Sequence, residues 1–204
     1  MIKNIIFDLG NVIINYNQEQ IISNFSKNKE ESIFIKEKIF NSQEWQLLDL
    51  GKINNDEAIV RIKEKNDKKY IKLIEVFLHE WYKGQQINKD IVGIAKQLKK
   101  SNYNIYVLSN MAKETFEYFK SIDFFKLCDG IVISADENIK KPDERIFTLL
   151  LDRYNLKAEE CLFIDDDDTN RSYISANKLG ICGRKVIPNN YNDILSLLKE
   201  YNVL

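Results

Sequence analysis

The chain has 204 residues, which is enough for one domain with an insertion or for two small domains. Its 30 Lys and Arg residues nearly balance its 31 Asp and Glu residues, so it lacks the charge excess typical of proteins that bind nucleic acid or an anionic membrane. No uninterrupted apolar segment is long enough to span a bilayer, and the three cysteines lack metal-ligand spacing, so we predict a cytoplasmic protein with reduced thiols.

The first predicted element is a short strand that ends on a carboxylate. Ile5, Ile6 and Phe7 form an apolar run of the kind found in buried parallel strands, and Asp8 follows it directly. Ligands of open α/β sheets bind at the carboxyl ends of the strands. The pattern therefore indicates that Asp8 is a nucleophile, a metal ligand or a turn-forming residue.

Residues 16–83 contain helical patterns but no strand-like run. Apolar residues recur at helical spacing over residues 21–25 and 71–78, so we predict an inserted helical module. An insertion that starts just past Asp8 would stand over the strand ends, which is the position of a lid. For His79, Trp45 and Trp81, which lie in this insertion, surface or packing roles are favoured over catalysis.

Four more strand-like runs follow the insertion, and helical patterns separate them. The runs cover residues 103–108, 130–133, 161–164 and 185–187, and the helical patterns cover residues 91–98, 116–122, 146–154, 173–179 and 194–198. Alternation of this kind predicts an α/β fold in which helices cover both faces of a parallel sheet. A small polar or acidic residue follows each strand except the last, so the chemistry is expected at one edge of the sheet.

Polar side chains from three strand ends are expected to meet at that edge. They are Asp8, Ser109, Asp165 and Asp166. The nearest predicted cation is Lys141, which precedes Pro142, a residue suited to a first helical turn. Three carboxylates in one cleft repel one another, and one lysine does not balance them. A hard divalent cation such as Mg2+ would balance them, because its preferred ligands are oxygen atoms. Asp167 and Asp168 are interpreted as solvated loop charges or as charges at a helix start.

Four segments, in this order, resemble the four motifs of the haloacid dehalogenase (HAD) superfamily. They are residues 7–12 (FDLGNV), 108–110 (LSN), 141–147 (KPDERIF) and 163–170 (FIDDDDTN), the last followed by residues 176–180 (ANKLG). The first segment most resembles the sugar-phosphate phosphatase branch, which includes glucose-1-phosphate phosphatases. The resemblance implies a Rossmann-like catalytic core over residues 1–15 and 84–204, with a helical C1 cap over residues 16–83.

The resemblance also implies the mechanism of a phosphoric monoester hydrolase with Asp8 and Lys141 as its catalytic residues. Asp8 attacks phosphorus and forms an aspartyl-phosphate, the covalent route open to a carboxylate. Ser109 and Lys141 hold phosphate oxygens, with help from the Asn110 amide. The implied Mg2+ ligands are Asp8, the carbonyl of Gly10, Asp165 and Asp166. The implied partner is a small phosphorylated metabolite, with no nucleic acid and no membrane, and the protein is expected to be a monomer or a homodimer.

Gly10 departs from the pattern of most phosphatases of this family, which carry a second Asp there. That residue binds the metal through its carbonyl and protonates the leaving group through its side chain, and glycine retains only the carbonyl. General acid catalysis is typically worth roughly 10²- to 10⁴-fold in rate, so its loss matters least when the leaving group is good. We therefore predict a sugar phosphate as substrate, with anomeric phosphates favoured. The insertion is an alternative source of the acid, with Asp49, Asp56 and Glu57 as candidates.

Two other functions stay open at the level of sequence. Carbon–halogen hydrolases of the same superfamily also lack the second acid, but they need no metal and would gain nothing from the paired Asp165 and Asp166. The pair therefore favours a phosphatase. The other alternative is a catalytically weak member that binds a phosphorylated ligand or has a regulatory role.

Overall fold

A five-stranded parallel sheet forms the centre of the structure, a computed structural model that describes residues 1–167 and 169–204. Its strands are β1 (Asn4–Phe7), β2 (Asn104–Ser109), β3 (Gly130–Ile133), β4 (Cys161–Asp165) and β5 (Cys182–Lys185). They lie in the order β3-β2-β1-β4-β5, and every neighbouring pair is parallel. The predicted Rossmann-like α/β fold is thereby confirmed. The prediction for Asp168 lies outside the described residues.

The alternation of side chains along the strands gives the sheet a hydrophobic core on each face. Ile5 and Phe7 of β1 pack on one face, and Ile6 packs on the other. The first face is covered by α6 (Lys89–Lys100), α7 (Lys113–Phe119) and α11 (Tyr191–Glu200), and the second by α9 (Glu144–Tyr154) and α10 (Ser172–Lys178). Both faces are buried, which explains why the strands are continuous apolar runs.

Helices also make up the segment between β1 and α6, and they have a hydrophobic cluster of their own. They are α1 (Gln18–Phe25), α2 (Lys29–Phe34), α3 (Gln43–Asp49), α4 (Asn55–Glu64) and α5 (Ile71–Glu80), and a π-helical turn (Ile35–Phe40) continues α2. Side chains of Asn17, Asn28, Ser42 and Asn54 cap the amino termini of four of these helices, each by accepting a backbone N–H. The rings of Trp45 and Trp81 lie 5.2 Å apart.

The last strand begins three residues before the predicted segment and ends two residues before that segment ends. The predicted strand covers residues 185–187, but the strand that pairs with β4 is Cys182–Lys185. This strand lies at the edge of the sheet, and α10 packs directly on it. A Cβ atom built at Gly183 would lie 2.3 Å from the Tyr173 carbonyl oxygen. Because α10 approaches so closely, position 183 must be a residue without a side chain. This glycine interrupts the apolar pattern that usually identifies a strand in a sequence.

Asparagine occupies most of the left-handed backbone positions among the described residues. Seven non-glycine residues have positive φ, namely Asn11, Asn102, Asn138, Asn155, Arg171, Asn189 and Asn202. Asn tolerates this conformation better than other residues with a Cβ atom, because its short side chain hydrogen-bonds locally. Asn155 in this conformation ends α9, and Asn138 ends α8 (Ser134–Glu137). Asn therefore takes the place that Gly commonly has in such turns.

Candidate active site

Strand register brings the predicted polar residues to one edge of the sheet. Phe7 of the central strand β1 pairs with Val107 of β2 and with Ile164 of β4. Asp8 therefore lies beside the ends of both neighbours, where Ser109 closes β2 and Asp165 closes β4. Carboxylate oxygens of Asp8, Asp165 and Asp166 lie within 4.8 Å of one another. The sequence predicted that the side chains of Asp8, Ser109, Asp165 and Asp166 meet at one edge of the sheet. The structure brings these four side chains together there.

Lys141 is the cation that pairs with the carboxylates of this cluster. Its side chain is 3% exposed, and its Nζ lies 2.6 Å from Asp165 Oδ2 and 3.0 Å from Asp8 Oδ1. Burial alone would lower the pKa of Lys141, but the charges of Asp165 and Asp8 outweigh it and raise the pKa above its ordinary value. Lys141 is therefore a permanent cation at neutral pH.

The backbone before α9 differs from the sequence prediction. Asp143 is the N-cap of this helix, and the first helical residue is Glu144. Pro142 therefore lies ahead of the first turn and not in it, and the Lys141–Pro142 peptide bond is cis. Asp143 takes the capping role because its side chain accepts the N–H of Arg145.

Asn110 fixes the backbone of Lys141 by two hydrogen bonds. Its Nδ2 donates to the Lys141 carbonyl at 2.9 Å, and its Oδ1 accepts the Lys141 N–H at 2.8 Å. This pair of bonds ties the loop after β2 to the loop that carries the lysine. The amide nitrogen has a second N–H, so this bracing is compatible with the phosphate contact predicted for Asn110, which stays a prediction.

Burial and neighbouring negative charge disfavour the charged forms of Asp8 and Asp166. Burial, with the charge of Asp165, raises the pKa of Asp8 to about 6, although Lys141 and a hydrogen bond from Ser109 oppose this. Burial, with the charge of Asp8, raises the pKa of Asp166 to about 7. Three carboxylates share one lysine, so the cluster keeps an excess of negative charge. An all-oxygen cluster with this excess fits a hard divalent cation.

The loop after β4 is held together by its own side chains. Asp165 Oδ1 accepts the Asp167 N–H at 2.8 Å, so this carboxylate is oriented from two sides. Asp167 accepts the Thr169 N–H at 2.7 Å and a bond from the Asn170 side chain at 2.5 Å. Asn170 therefore braces this loop. Asp167 orders the loop and is more than a solvated charge.

Asn11 is a site residue that the sequence reasoning missed. Its Nδ2 donates to Asp166 Oδ2 at 2.9 Å, while its Oδ1 accepts the Tyr16 N–H and an N–H of the Asn189 side chain. Its φ of 53° turns the chain directly after Gly10. One asparagine thus links three loops and orients a carboxylate of the cluster. The available signal was an Asn in the turn after the first strand, where a left-handed residue that also hydrogen-bonds is useful.

Gly10 stands in open space. The nearest atom to a Cβ built there is Asp8 Oδ2, at 4.0 Å, and its φ lies outside the left-handed region. A side chain at this position would meet no obstacle, so steric hindrance does not explain the glycine. Of the alternative acids in the insertion, Asp56 is highly exposed and pairs with His79 at 3.4 Å, and Glu57 accepts the Asn54 N–H in a capping box.

Comparisons with known proteins agree with this geometry. A model described as haloacid dehalogenase-like hydrolase matches residues 2–171. A sesquiterpene phosphatase of Aspergillus oryzae is 24% identical over 182 residues, which are 89% of this chain and 88% of that protein. A D-ribitol-5-phosphate phosphatase of Bacteroides thetaiotaomicron is 25% identical over 183 residues, which are 83% of this chain and 85% of that protein.

The fold is similar to that of a solved HAD family enzyme from Bacteroides thetaiotaomicron in its magnesium complex. The TM-score is 0.78 with 24% sequence identity, and the match covers 96% of this chain and 98% of that chain. Within the described residues, every helix is too short or too polar to cross a membrane.

Proposed function

Because the chain belongs to the haloacid dehalogenase-like hydrolases, we propose that it is a Mg2+-dependent phosphatase of a small phosphorylated metabolite. The observation that carries the proposal is the cluster of Asp8, Asp165 and Asp166, in which Lys141 is the one basic side chain within ion-pair distance among the described residues. A site for a neutral or halogenated substrate has no use for this excess of negative charge. Two named relatives are phosphatases, and a similar solved enzyme was crystallised with magnesium.

In the proposed reaction, the Asp8 carboxylate attacks the phosphorus of the bound monoester. The Asp8–phosphorus bond forms while the bond to the leaving-group oxygen breaks, and water then hydrolyses the aspartyl-phosphate. Lys141 and Ser109 neutralise and orient the phosphoryl oxygens, and Asn110 keeps the lysine backbone in place. Phosphoryl transfer depends mostly on positioning and on charge neutralisation, which are the functions these residues serve.

The residues that would hold the metal are Asp8, Asp165, Asp166 and the carbonyl of Gly10. A bound Mg2+ neutralises charge on the phosphoryl oxygens and on the nucleophile. We expect Mg2+ to raise the melting temperature of the wild-type protein, because it relieves the repulsion among buried carboxylates. The matched variant Asp165→Asn should lose most of this increase, and calorimetry with and without Mg2+ measures both effects.

Chelation separates the proposed phosphatase from a carbon–halogen hydrolase. Excess EDTA should abolish phosphatase activity, and Mg2+ should restore it. Hydrolysis of a 2-haloacid that survives full chelation would point instead to the halogen chemistry. Phosphate binding with negligible turnover across a broad panel of phosphomonoesters with Mg2+ would indicate a binding or regulatory member.

We also propose that residues 16–83 form the cap and that residues 1–15 and 84–204 form the catalytic core. The separate hydrophobic cluster of the inserted helices supports this division. Such a cap would cover the strand ends during the reaction and exclude water. A cytoplasmic location and a monomeric or homodimeric state stay predictions from the sequence.

The substrate is proposed to be a sugar phosphate, with the phosphate on the anomeric carbon favoured. The argument rests on Gly10, which offers no acid to the leaving group. Gly10→Asp should raise kcat/KM more for an alcohol phosphate than for an anomeric phosphate, because the poorer leaving group gains more from a proton. Steady-state kinetics on glycerol 3-phosphate and glucose 1-phosphate measure this difference, and an equal gain on both would contradict the leaving-group argument.

A further inference from the structure

We propose that Asn11 is a positioning residue that holds Asp166 as a single-oxygen ligand and so gives the site its preference for Mg2+ over Ca2+. The inference rests on the proposed Mg2+-dependent function and deepens it, because it names a residue that governs the choice of cation. Its support comes from the hydrogen bonds of Asn11, from the engaged oxygens of the carboxylates and from the different coordination of the two cations.

The side chain of Asn11 has one orientation, because a backbone donor fixes it. Its Oδ1 accepts the Tyr16 N–H at 3.1 Å and an N–H of the Asn189 side chain at 2.9 Å. A backbone N–H needs an acceptor, so the amide oxygen faces Tyr16 and the amide nitrogen is left to face Asp166. This nitrogen donates to Asp166 Oδ2 at 2.9 Å. Asn11 therefore presents a donor, and not an acceptor, to the carboxylate.

Hydrogen bonds also hold the backbone of Asn11 in place. Its N–H donates to the Ile14 carbonyl at 2.7 Å, and its carbonyl accepts the Asn189 N–H at 2.7 Å. The first bond lies within the turn after β1, and the second reaches the loop after β5. Every polar group of Asn11 is thus engaged. The donor that faces Asp166 therefore has little freedom to move away from it.

One oxygen of each carboxylate in the cluster already has a partner. The Lys141 Nζ lies 3.0 Å from Asp8 Oδ1 and 2.6 Å from Asp165 Oδ2. Asn11 engages Oδ2 of Asp166 in the same manner. A cation that binds both oxygens of one carboxylate would have to compete with one of these contacts. The arrangement therefore favours a cation that takes a single oxygen from each carboxylate.

Mg2+ and Ca2+ differ in how they bind carboxylates. Mg2+ is small and demands a nearly ideal octahedron, which single oxygens supply. Ca2+ takes about six to eight oxygens at longer distances and accepts carboxylates that bind through both oxygens. Single-oxygen ligands thus suit Mg2+. By engaging Oδ2 of Asp166, Asn11 disfavours the two-oxygen contact that Ca2+ would use.

The neutrality of the Asn11 amide matters as well as its position. A lysine in its place would also hold the carboxylate, but its positive charge would compete with a divalent cation for Asp166. The amide orients the carboxylate and leaves its negative charge available to the metal. Residues that orient metal ligands in this way typically contribute about 10- to 100-fold to metal affinity.

The test measures the dissociation constants of Mg2+ and of Ca2+ by calorimetric titration of wild type and of Asn11→Gly. Glycine adopts the φ of 53° at this position without strain, so the variant keeps the turn and loses the amide. We expect the Mg2+ constant to rise by about 10- to 100-fold and the Ca2+ constant by less than about threefold. The Mg2+ concentration that gives half-maximal activity on p-nitrophenyl phosphate should rise with the Mg2+ constant.

A second variant, Asn11→Asp, separates the donor from the rest of the side chain. Aspartate keeps an oxygen for the N–H groups of Tyr16 and Asn189, but it offers Asp166 a negative charge in place of a hydrogen bond. The added charge attracts both cations, while the released carboxylate of Asp166 accommodates Ca2+. The ratio of the Ca2+ constant to the Mg2+ constant should therefore fall by about tenfold or more relative to wild type.

The matched control is Asn202→Gly, the same change at an exposed turn after α11 that has the same φ of 53°. Both of its dissociation constants should stay within about twofold of wild type, because surface substitutions of this kind have small effects. A loss of Mg2+ affinity as large as that of Asn11→Gly would overturn the assignment, since it would show a general effect of glycine in such turns.

Three further outcomes would overturn the role of Asn11. They are a wild type that binds Ca2+ as tightly as Mg2+ or binds neither, an equal change of both constants in Asn11→Gly, and an unchanged ratio in Asn11→Asp. If Asn11→Gly fails to fold, the ratio for Asn11→Asp decides, and failure of both to fold would assign Asn11 to folding instead. A wild type that binds Mg2+ selectively but turns over no phosphomonoester would refute the proposed function, while the binding constants would still support the role of Asn11.

Discussion

Replacement of Asp8 by Asn is expected to abolish turnover while the protein stays folded. Asn has the shape of Asp but is not a nucleophile, so no aspartyl-phosphate forms. Removal of a residue on which the whole covalent route depends lowers kcat by roughly 10⁴- to 10⁶-fold in enzymes studied in this way. The fold should survive because Lys141 retains its 2.6 Å contact with Asp165. The measurement is kcat with Mg2+ on p-nitrophenyl phosphate, together with the melting temperature.

The matched control for this variant is Asp90→Asn, the same change at an exposed position in the first turn of α6. It should leave kcat within about twofold of wild type, because surface substitutions of this kind have small effects. Activity of Asp8→Asn above about a tenth of wild type would show that another residue is the nucleophile. Loss of the cooperative thermal transition would show that Asp8 is needed for folding.

Lys141→Met is expected to cost both activity and stability. Lys141 is 3% exposed and is paired with two buried carboxylates, so its loss leaves those charges without a partner. Breaking a buried ion pair by removal of one partner typically costs about 3–5 kcal/mol, which is a large part of the free energy of unfolding of most domains. Urea unfolding at pH 7.5 without Mg2+ measures this loss, and activity should fall below detection.

Lys89→Met is the control, since Lys89 is an exposed residue at the start of α6. Its free energy of unfolding should stay within about 0.5 kcal/mol of wild type. Mg2+ should recover part of the stability of Lys141→Met, because a divalent cation again balances the carboxylates. A loss of less than about 1 kcal/mol without Mg2+ would mean that the carboxylates take up protons at little cost and that the lysine is not needed for folding.

The residues at the strand ends were predictable because their signal is local. An apolar run followed by Asp8, and another that contains Ile164 and ends with Asp165, each identify a buried strand and its carboxyl end. Parallel pairing then brings these ends together without further information. The edge strand was misplaced for the opposite reason. Its Gly183 reflects the close packing of α10, which is a tertiary contact and leaves no apolar pattern in the sequence.

The contacts of Asn11 and Asp49 were not predictable to the same degree. Asp49 was one of three candidate acids, and nothing in the spacing of the insertion distinguishes it from Asp56. The position of Asp49 depends on how α3 packs on Ser134, whose hydroxyl donates to the Asp49 carbonyl oxygen across 85 positions of sequence. The bond from Asn11 to Asp166 spans 155 positions and depends on β1 and β4 being neighbours in the sheet.

The asparagines in left-handed turns have a consequence for the unfolded chain. Glycine would fit the same turns, but it leaves the unfolded backbone with more freedom to lose on folding. Asn at positions 102, 155 and 202, near the ends of three helices, makes this entropy loss smaller than Gly would. The smaller loss offsets part of the strain of the left-handed conformation. Such turns need only a backbone shape, which Gly also adopts without strain. Asn11 is different, because its turn also needs the amide that orients Asp166.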